Sequence, residues 1–285
     1  MKTTPLALLF SMLAISGAAL AQPVLVEAVQ YPAWLERGGN AVPLTPGTRL
    51  EPKDLLRTGA NARVRLKLAE GSAVKLGENA QFMIERAEDR GIFKAALSVI
   101  AGAFRFTTGT LAKRSQRDIS IKVKNVTAGI RGTDLWGKST EQKDLVCLLE
   151  GRISVGSEGN PTVTLDQPLD FYQKPRDGAP EVAKVDAAQV QLWAAETEIS
   201  SAGAAATTAG QWRVVAAVKT VRDEARALRA GMRTAGFPAE ILQKGKYFLV
   251  QVSGLTGEPE ARALMAGIRD IRGVALPTVH EGPAI

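Results

Sequence analysis

A single histidine, His280, and a single cysteine, Cys147, bound the chemistry open to this chain. One histidine leaves no histidine-rich metal site and no catalytic triad except one built on His280, and no nucleophile is spaced to use it. Cys147 sits in the apolar run "LVCLLEG" (145–151), where a thiol packs as a small hydrophobe. Glycoside hydrolysis needs two carboxyl groups at a set separation across a cleft, and no acidic pair stands out as one. The groups that remain are cationic. Arg63, Arg65 and Lys67 alternate along one stretch. Lys113, Arg114, Arg117, Lys122 and Lys124 lie along another, where Asp118 is the sole acid between 113 and 131. Such stripes suit anionic envelope polymers or an acidic partner; the simpler reading is a solvated strand face. No stacking aromatics accompany them, which argues against nucleic acid. In Arg131-Gly132-Thr133 the glycine fits a tight turn, and the arginine is expected to bond carbonyls or a carboxylate inside the fold. The chemistry points to binding, with no enzyme activity, cofactor or metal.

The elements that position these groups follow from pattern. The chain has 285 residues, 45% hydrophobic and 23% charged, which is room for one large or two modest globular domains. The net charge of +7 favours anionic or polar partners weakly, since 29 acids are interspersed. Lys2, the apolar run from Leu6 to about Ile15, and Ala19-Leu20-Ala21 form a secretory signal peptide over 1–21. The expectation is a protein exported to a Gram-negative periplasm, with no membrane span once the signal is cleaved.

Residues 22–182 read as short strands between turns, an all-β sandwich, roll or solenoid. "ARVRLKL" (62–68) puts Val64, Leu66 and Leu68 on one face and its cations on the other. Further strands are expected at 73–76, 81–85, 95–106, 119–126, 144–151, 152–156 and 162–165. Residues 183–210 read as a short helix capped by Asp186, with Val190 and Trp193 on one face, and then the uncharged run 200–210 as a flexible linker. Trp193 is expected to dock that helix on the β domain, and Trp34, Trp136 and Trp212 to pack. Residues 211–285 alternate differently. A strand at 212–218, a helix capped by Thr220, a hairpin (239–243 and 247–252), a helix from Pro259 and a strand at 274–279 give the order βαββαβ, with His280 in a fraying tail.

Two stretches resemble known families. "LLRTGANARVRLKLAEGSAVKLGENAQFMI" (55–84), "AGAFRF" (101–106), "AGIRGTDL" (128–135) and "EGRISVG" (150–156) resemble the FecR-like domain. That resemblance implies a periplasmic β-rich roll or short solenoid used for protein interaction or signalling. Residues 211–281 resemble a SPOR domain, through "WRVVAAVKTVRDEARAL" (212–228) and "YFLVQVSGLTGEPEARALM" (247–265). This second resemblance implies a ferredoxin-like α+β fold that binds septal peptidoglycan, on glycan strands lacking stem peptides. The family's first-strand Val-Gln-Val-Gly is replaced here by Val214-Val215-Ala216-Ala217, and the strand glutamine survives as Gln251. In such a fold the helices cover the phase of Val214, Ala216, Phe248, Val250 and Val252. Arg213, Val215, Ala217, Tyr247, Leu249, Gln251 and Ser253 are then expected on an open face, with Gln251, Tyr247 and Arg213 offering sugar contacts. The expected function is a non-enzymatic multidomain wall-binding protein whose β domain engages a periplasmic protein partner. The alternative is an envelope signalling component whose SPOR-like fold binds no glycan.

Overall fold

A computed structural model of the chain describes residues 24–89, 92–109, 117–200 and 202–282. The signal peptide expected at 1–21, and Lys113 and Arg114, lie outside the described residues.

The chain opens with the short strands β1 (Val24–Gln30), β2 (Ala33–Arg37), β3 (Asn40–Pro43), β4 (Arg49–Leu50) and β5 (Leu55–Thr58). In β6 (Arg63–Leu68) Val64, Leu66 and Leu68 are buried while Arg65 and Lys67 are exposed, as a period of two requires. β7 (Ala73–Leu76), β8 (Gln81–Asp89), β9 (Phe93–Thr107), β10 (Arg117–Val123), β11 (Val126–Ile130) and β12 (Asp134–Ser139) follow. β13 (Lys143–Glu150), β14 (Ile153–Ser157), β15 (Val163–Leu165), β16 (Asp170–Pro175) and β17 (Glu181–Lys184) complete the β domain.

These strands form two sheets around one apolar core. The front sheet runs β17-β16-β13-β12-β9-β7-β6-β1. The back sheet runs β3-β2-β5-β8-β9-β10-β11-β14-β15. β9 belongs to both. Its Ala101 still pairs with Gln81 of the back sheet, and Gly102 already pairs with Ser139 of the front sheet. Gly102 bends the strand there with φ +82°, and a Cβ on it would come 2.5 Å from the Ala80 backbone. Only glycine meets both conditions without strain. The result is a roll closed by β9, not a stack of solenoid coils.

After β17 come α1 (Ala187–Ala195) and β18 (Ala205–Thr207). Asp186 caps α1 by accepting from the Ala188 amide at 2.7 Å. The run 200–210, expected to be a flexible linker, is ordered where it carries β18. Ala204, Ala205 and Ala206 are buried. β18 pairs with β1 from Ala28–Thr207 to Gln30–Ala205, and Ala206 pairs with Leu255 further on. Small side chains leave an isolated chain free, but they also let backbones approach closely. With pairing partners on both sides, the second effect prevails.

The C-terminal unit contains β19 (Trp212–Lys219), α2 (Arg222–Thr234), β20 (Glu240–Lys244), β21 (Tyr247–Leu255), α3 (Glu258–Gly267) and β22 (Thr278–Glu281). The strand order is β22-β19-β21-β20, all antiparallel. Ala225, Leu228 and Met232 of α2 and Ala261 and Leu264 of α3 pack on Val214, Val250 and Val252. Three local expectations are corrected. α2 is entered from Val221 without a side-chain cap, not from Thr220; Asp223 and Glu224 in its first turn complement the open amides. The last strand is shifted from 274–279 to Thr278–Glu281, because Leu276 takes φ 47° and Pro277 supplies no amide. His280 lies within that strand opposite Arg213, not in a tail.

Contacts beyond β18 join the two parts. The Trp34 indole donates to the Thr234 carbonyl at 3.0 Å, and the Ala33 amide to the Gly236 carbonyl at 3.3 Å. The rings of Tyr31 and Phe237 lie 6.4 Å apart. Burial raises the Tyr31 hydroxyl pKa well above its ordinary value, with the Glu240 charge adding to the effect.

Candidate interaction surfaces

Arg131-Gly132-Thr133 is the corner where the chain leaves β11 of the back sheet for β12 of the front sheet. Gly132 takes φ +69° there. The Thr133 amide donates to Thr108 Oγ1 at 3.0 Å, and the Thr108 amide donates to the Thr133 carbonyl at 3.0 Å. This reciprocal pair ties the start of β12 to the end of β9. One residue on, Asp134 accepts both arms of Arg105 at 3.0 and 2.7 Å, and this bond raises the Arg105 pKa. Arg131 itself is exposed. Its guanidinium does not turn inward as expected; it lines a shallow cleft of about 450 Å³ with Arg152, Ser154 and Thr164. The motif is therefore a structural corner that presents one arginine to solvent.

The other cationic stripes are also surface features. Arg65 pairs with Glu27 at 2.6 Å, and Arg63 donates to the Ala62 carbonyl at 2.8 Å. Lys122 and Lys124 are exposed on the back sheet.

The open face expected on the C-terminal sheet is only partly open. β19 carries irregularities between Trp212 and Val214 and between Val215 and Ala217. The extra residue rotates Ala217 into the core beside Ala216, so Val214 through Ala217 are all buried. Val215 pairs with Gln251, and Gln251 is 1% exposed. Its Nε2 donates to Ser253 Oγ at 3.3 Å, while its Oε1 is buried without a hydrogen-bond partner. Arg213 donates to the Gly282 carbonyl at 2.5 Å, so its guanidinium is drawn to the edge strand. Leu249 and Ser253 are half-buried, and Tyr247 is 43% exposed. Of the six residues expected to touch glycan, only Tyr247 is exposed. Gln251 and Val215, paired with each other across β19 and β21, are buried.

α1 covers the outer face of the front sheet. Trp193 stacks on the buried Trp136 with ring centroids 4.6 Å apart and planes 3° from parallel. Ala103, Leu145 and Cys147 complete this second small core. Lys138–Glu196 at 2.7 Å, Lys75–Glu198 at 2.5 Å and Arg105–Glu198 at 3.5 Å fasten the segment after the helix. Burial, with a smaller contribution from Asp170, pushes the Cys147 thiol up to about 12, so it stays protonated and a poor nucleophile.

A further cationic feature lies on α2. Arg222, Arg226 and Arg229 line a cleft of about 210 Å³ together with Ile241, Gln243 and Phe248. Their spacing of four and three residues was readable in the sequence as one helical stripe.

Residues 54–154 match the FecR protein family, which bears out the resemblance of the β domain. Two crystal structures of a candidate anti-sigma factor from Parabacteroides distasonis ATCC 8503 resemble the chain at 13% identity and TM-score 0.42, each over 49% of its length. The chain spans 64% and 63% of those two chains. No curated protein matches the sequence. Among the described residues, no helix is long and apolar enough to cross a membrane.

Proposed function

We propose that this chain is an exported, non-enzymatic component of envelope signalling in a Gram-negative periplasm, with its FecR domain as the protein-interaction module. The single observation that carries the reading is the match of 54–154 to FecR. The geometry supports it by what it offers a partner. Exposed sheet faces and the solvent-facing Arg131 surround a closed core, and the one cysteine is sealed within a small core of its own.

In this reading the C-terminal unit is a ferredoxin-like, SPOR-related fold that braces the FecR domain through β18 and Trp34. The βαββαβ order and the strand order β22-β19-β21-β20 support that assignment. Burial of Gln251 removes the donor that a glycan would use, which favours protein contact over wall binding. One observation favours glycan binding instead: Tyr247 stands exposed beside half-buried Leu249, a short shelf for a sugar ring.

Two measurements separate the readings. Cells carrying the chain with and without residues 54–154 are compared by transcript profiling, and purified chain is sedimented with amidase-treated sacculi. The signalling reading expects altered envelope-stress transcription and chain left in the supernatant. An unchanged transcriptome with chain in the pellet, lost on Tyr247→Ala, overturns it in favour of wall binding.

A further inference from the structure

Positive charge is concentrated at the end of the chain. Residues 211–285 hold eleven lysines and arginines against seven acids. Four of those arginines, Arg222, Arg226, Arg229 and Arg233, lie on α2. At 3.6 residues per turn they stay within roughly 60° of one another and extend about 16 Å along the axis. The buried stripe of Ala225, Leu228 and Met232 lies on the adjoining side. The arginine row therefore runs along the flank of the helix that faces β20 and β21.

On that flank the row overhangs the cleft floored by Ile241 and Phe248. The Arg222 guanidinium lies 5.4 Å from the centre of the Phe248 ring and donates to Gln243 Oε1 at 2.9 Å, so it is already positioned. Arg226 bonds Asp223 at 3.1 Å, with the two side chains 59% and 84% exposed, so the pair exchanges readily for another carboxylate. Arg229 is exposed and has no ion pair among the described residues. Lys244 and Lys246, exposed at the turn between β20 and β21, add positive charge at one end. An arginine in the first turn of a helix also opposes the helix dipole, so local helix stability does not explain Arg222.

We propose that this cleft docks an acidic peptide segment of a partner protein. Its carboxylates pair with Arg222, Arg226 and Arg229, and an apolar side chain lies on Ile241 and Phe248. The row is too long for one small anion. An extended peptide repeats same-side groups every roughly 6.8 Å, close to the roughly 6 Å between arginines four residues apart on a helix. Guanidinium groups hold carboxylates in paired hydrogen bonds. A flat bilayer would touch the rim without reaching the floor of the cleft, and the row itself carries no apolar side chain to insert. A nucleic-acid strand needs an open aromatic face, and Arg222 occupies that of Phe248.

The test uses the full chain and a fluorescein-labelled peptide of alternating glutamate and leucine, read by anisotropy. Wild type is expected to bind, and to bind less tightly as salt is raised from about 50 to about 500 mM. The double variant Arg226→Glu, Arg229→Glu is expected to bind at least about tenfold more weakly with unchanged circular dichroism, since both side chains are exposed. A lysine–leucine peptide is expected not to bind. Equal binding by wild type and the double variant overturns the site, and absence of wild-type binding overturns it too. Preference of wild type for phosphatidylglycerol vesicles or dextran sulfate over the peptide overturns the partner class.

Discussion

The FecR domain and the C-terminal unit treat an uncovered sheet face in opposite ways. The front sheet of the FecR domain has its outer face capped by α1, through the Trp136–Trp193 stack and ion pairs from Glu196 and Glu198. The C-terminal sheet has both helices on one side. Its other side ends in exposed Val218 and Tyr247, and α2 turns an arginine row outward. That face of the first region is closed by its own chain. The second leans on the β domain at β18 and Trp34, and its arginine cleft is the surface proposed above for a partner. A small unit buries a smaller share of its surface than a large one, so leaning on a larger neighbour is a physical advantage.

The largest expected effect tests whether the FecR domain stands as the scaffold. Gly102→Val places a branched side chain at φ +82° and a Cβ 2.5 Å from the Ala80 backbone, where β9 changes sheets. Loss of about 3 kcal/mol or more is expected, with both sheets failing together in chemical denaturation. A loss below about 1 kcal/mol would show that the corner relaxes freely and that the sheets are independent.

Trp34→Ala tests the dependence of the smaller unit. It removes the bond to the Thr234 carbonyl and the packing under the end of α2. A loss of about 2 kcal/mol is expected. Hydrogen exchange should accelerate in α2 and β18 and remain slow in β6 and β9. Uniform acceleration would mean that the two regions unfold as one cooperative body.

The two regions also differed in what their sequences disclosed. In the β domain burial follows a period of two along β6 and β7, so these were legible from alternation alone; β13, covered by α1 on its outer face, is buried from Asp144 to Leu148. What alternation could not show is where β9 changes sheets, because that depends on which strands flank it. In the C-terminal unit the element order was legible, but the face assignment was not. β19 is irregular at two points, its four successive residues Val214 to Ala217 are all buried, and so is Gln251 on β21. The run at 200–210 misled for a related reason. Its alanines signal freedom in isolation and close packing between β1 and β21. Arg131 misled because a turn glycine fixes the backbone and leaves the direction of the neighbouring side chain open.

Gly132→Val tests that corner at smaller scale. The position takes φ +69°, and the neighbouring contact, Arg117 Nη2 at 3.3 Å from a Cβ, is the end of a flexible side chain. The expected loss is therefore backbone strain alone, about 1–2 kcal/mol. Arg131→Ala in the same turn is expected to leave the melting temperature unchanged, which separates the motif's structural glycine from its solvent-facing arginine.

The smallest expected effect, that of Arg65, is read against a second arginine on the front sheet. Arg65 meets Glu27 at 2.6 Å with both side chains substantially exposed, 45% and 36%. Arg105 meets Asp134 through two parallel bonds, with exposures of 24% and 14%, and also reaches Glu198 after α1. Water and salt screen the first pair, and ordering two long side chains offsets most of its attraction. The second pair is partly desolvated, so removing Arg105 leaves Asp134 underpaired and frees one anchor of the helix. Arg65→Ala is expected to change stability by no more than about 0.5 kcal/mol, and Arg105→Ala to cost about 1–3 kcal/mol with faster exchange in α1. Equal costs for the two would show that the α1 anchor adds nothing. The closure of that face by α1 would then rest on the tryptophan stack and the lysine pairs of Glu196 and Glu198.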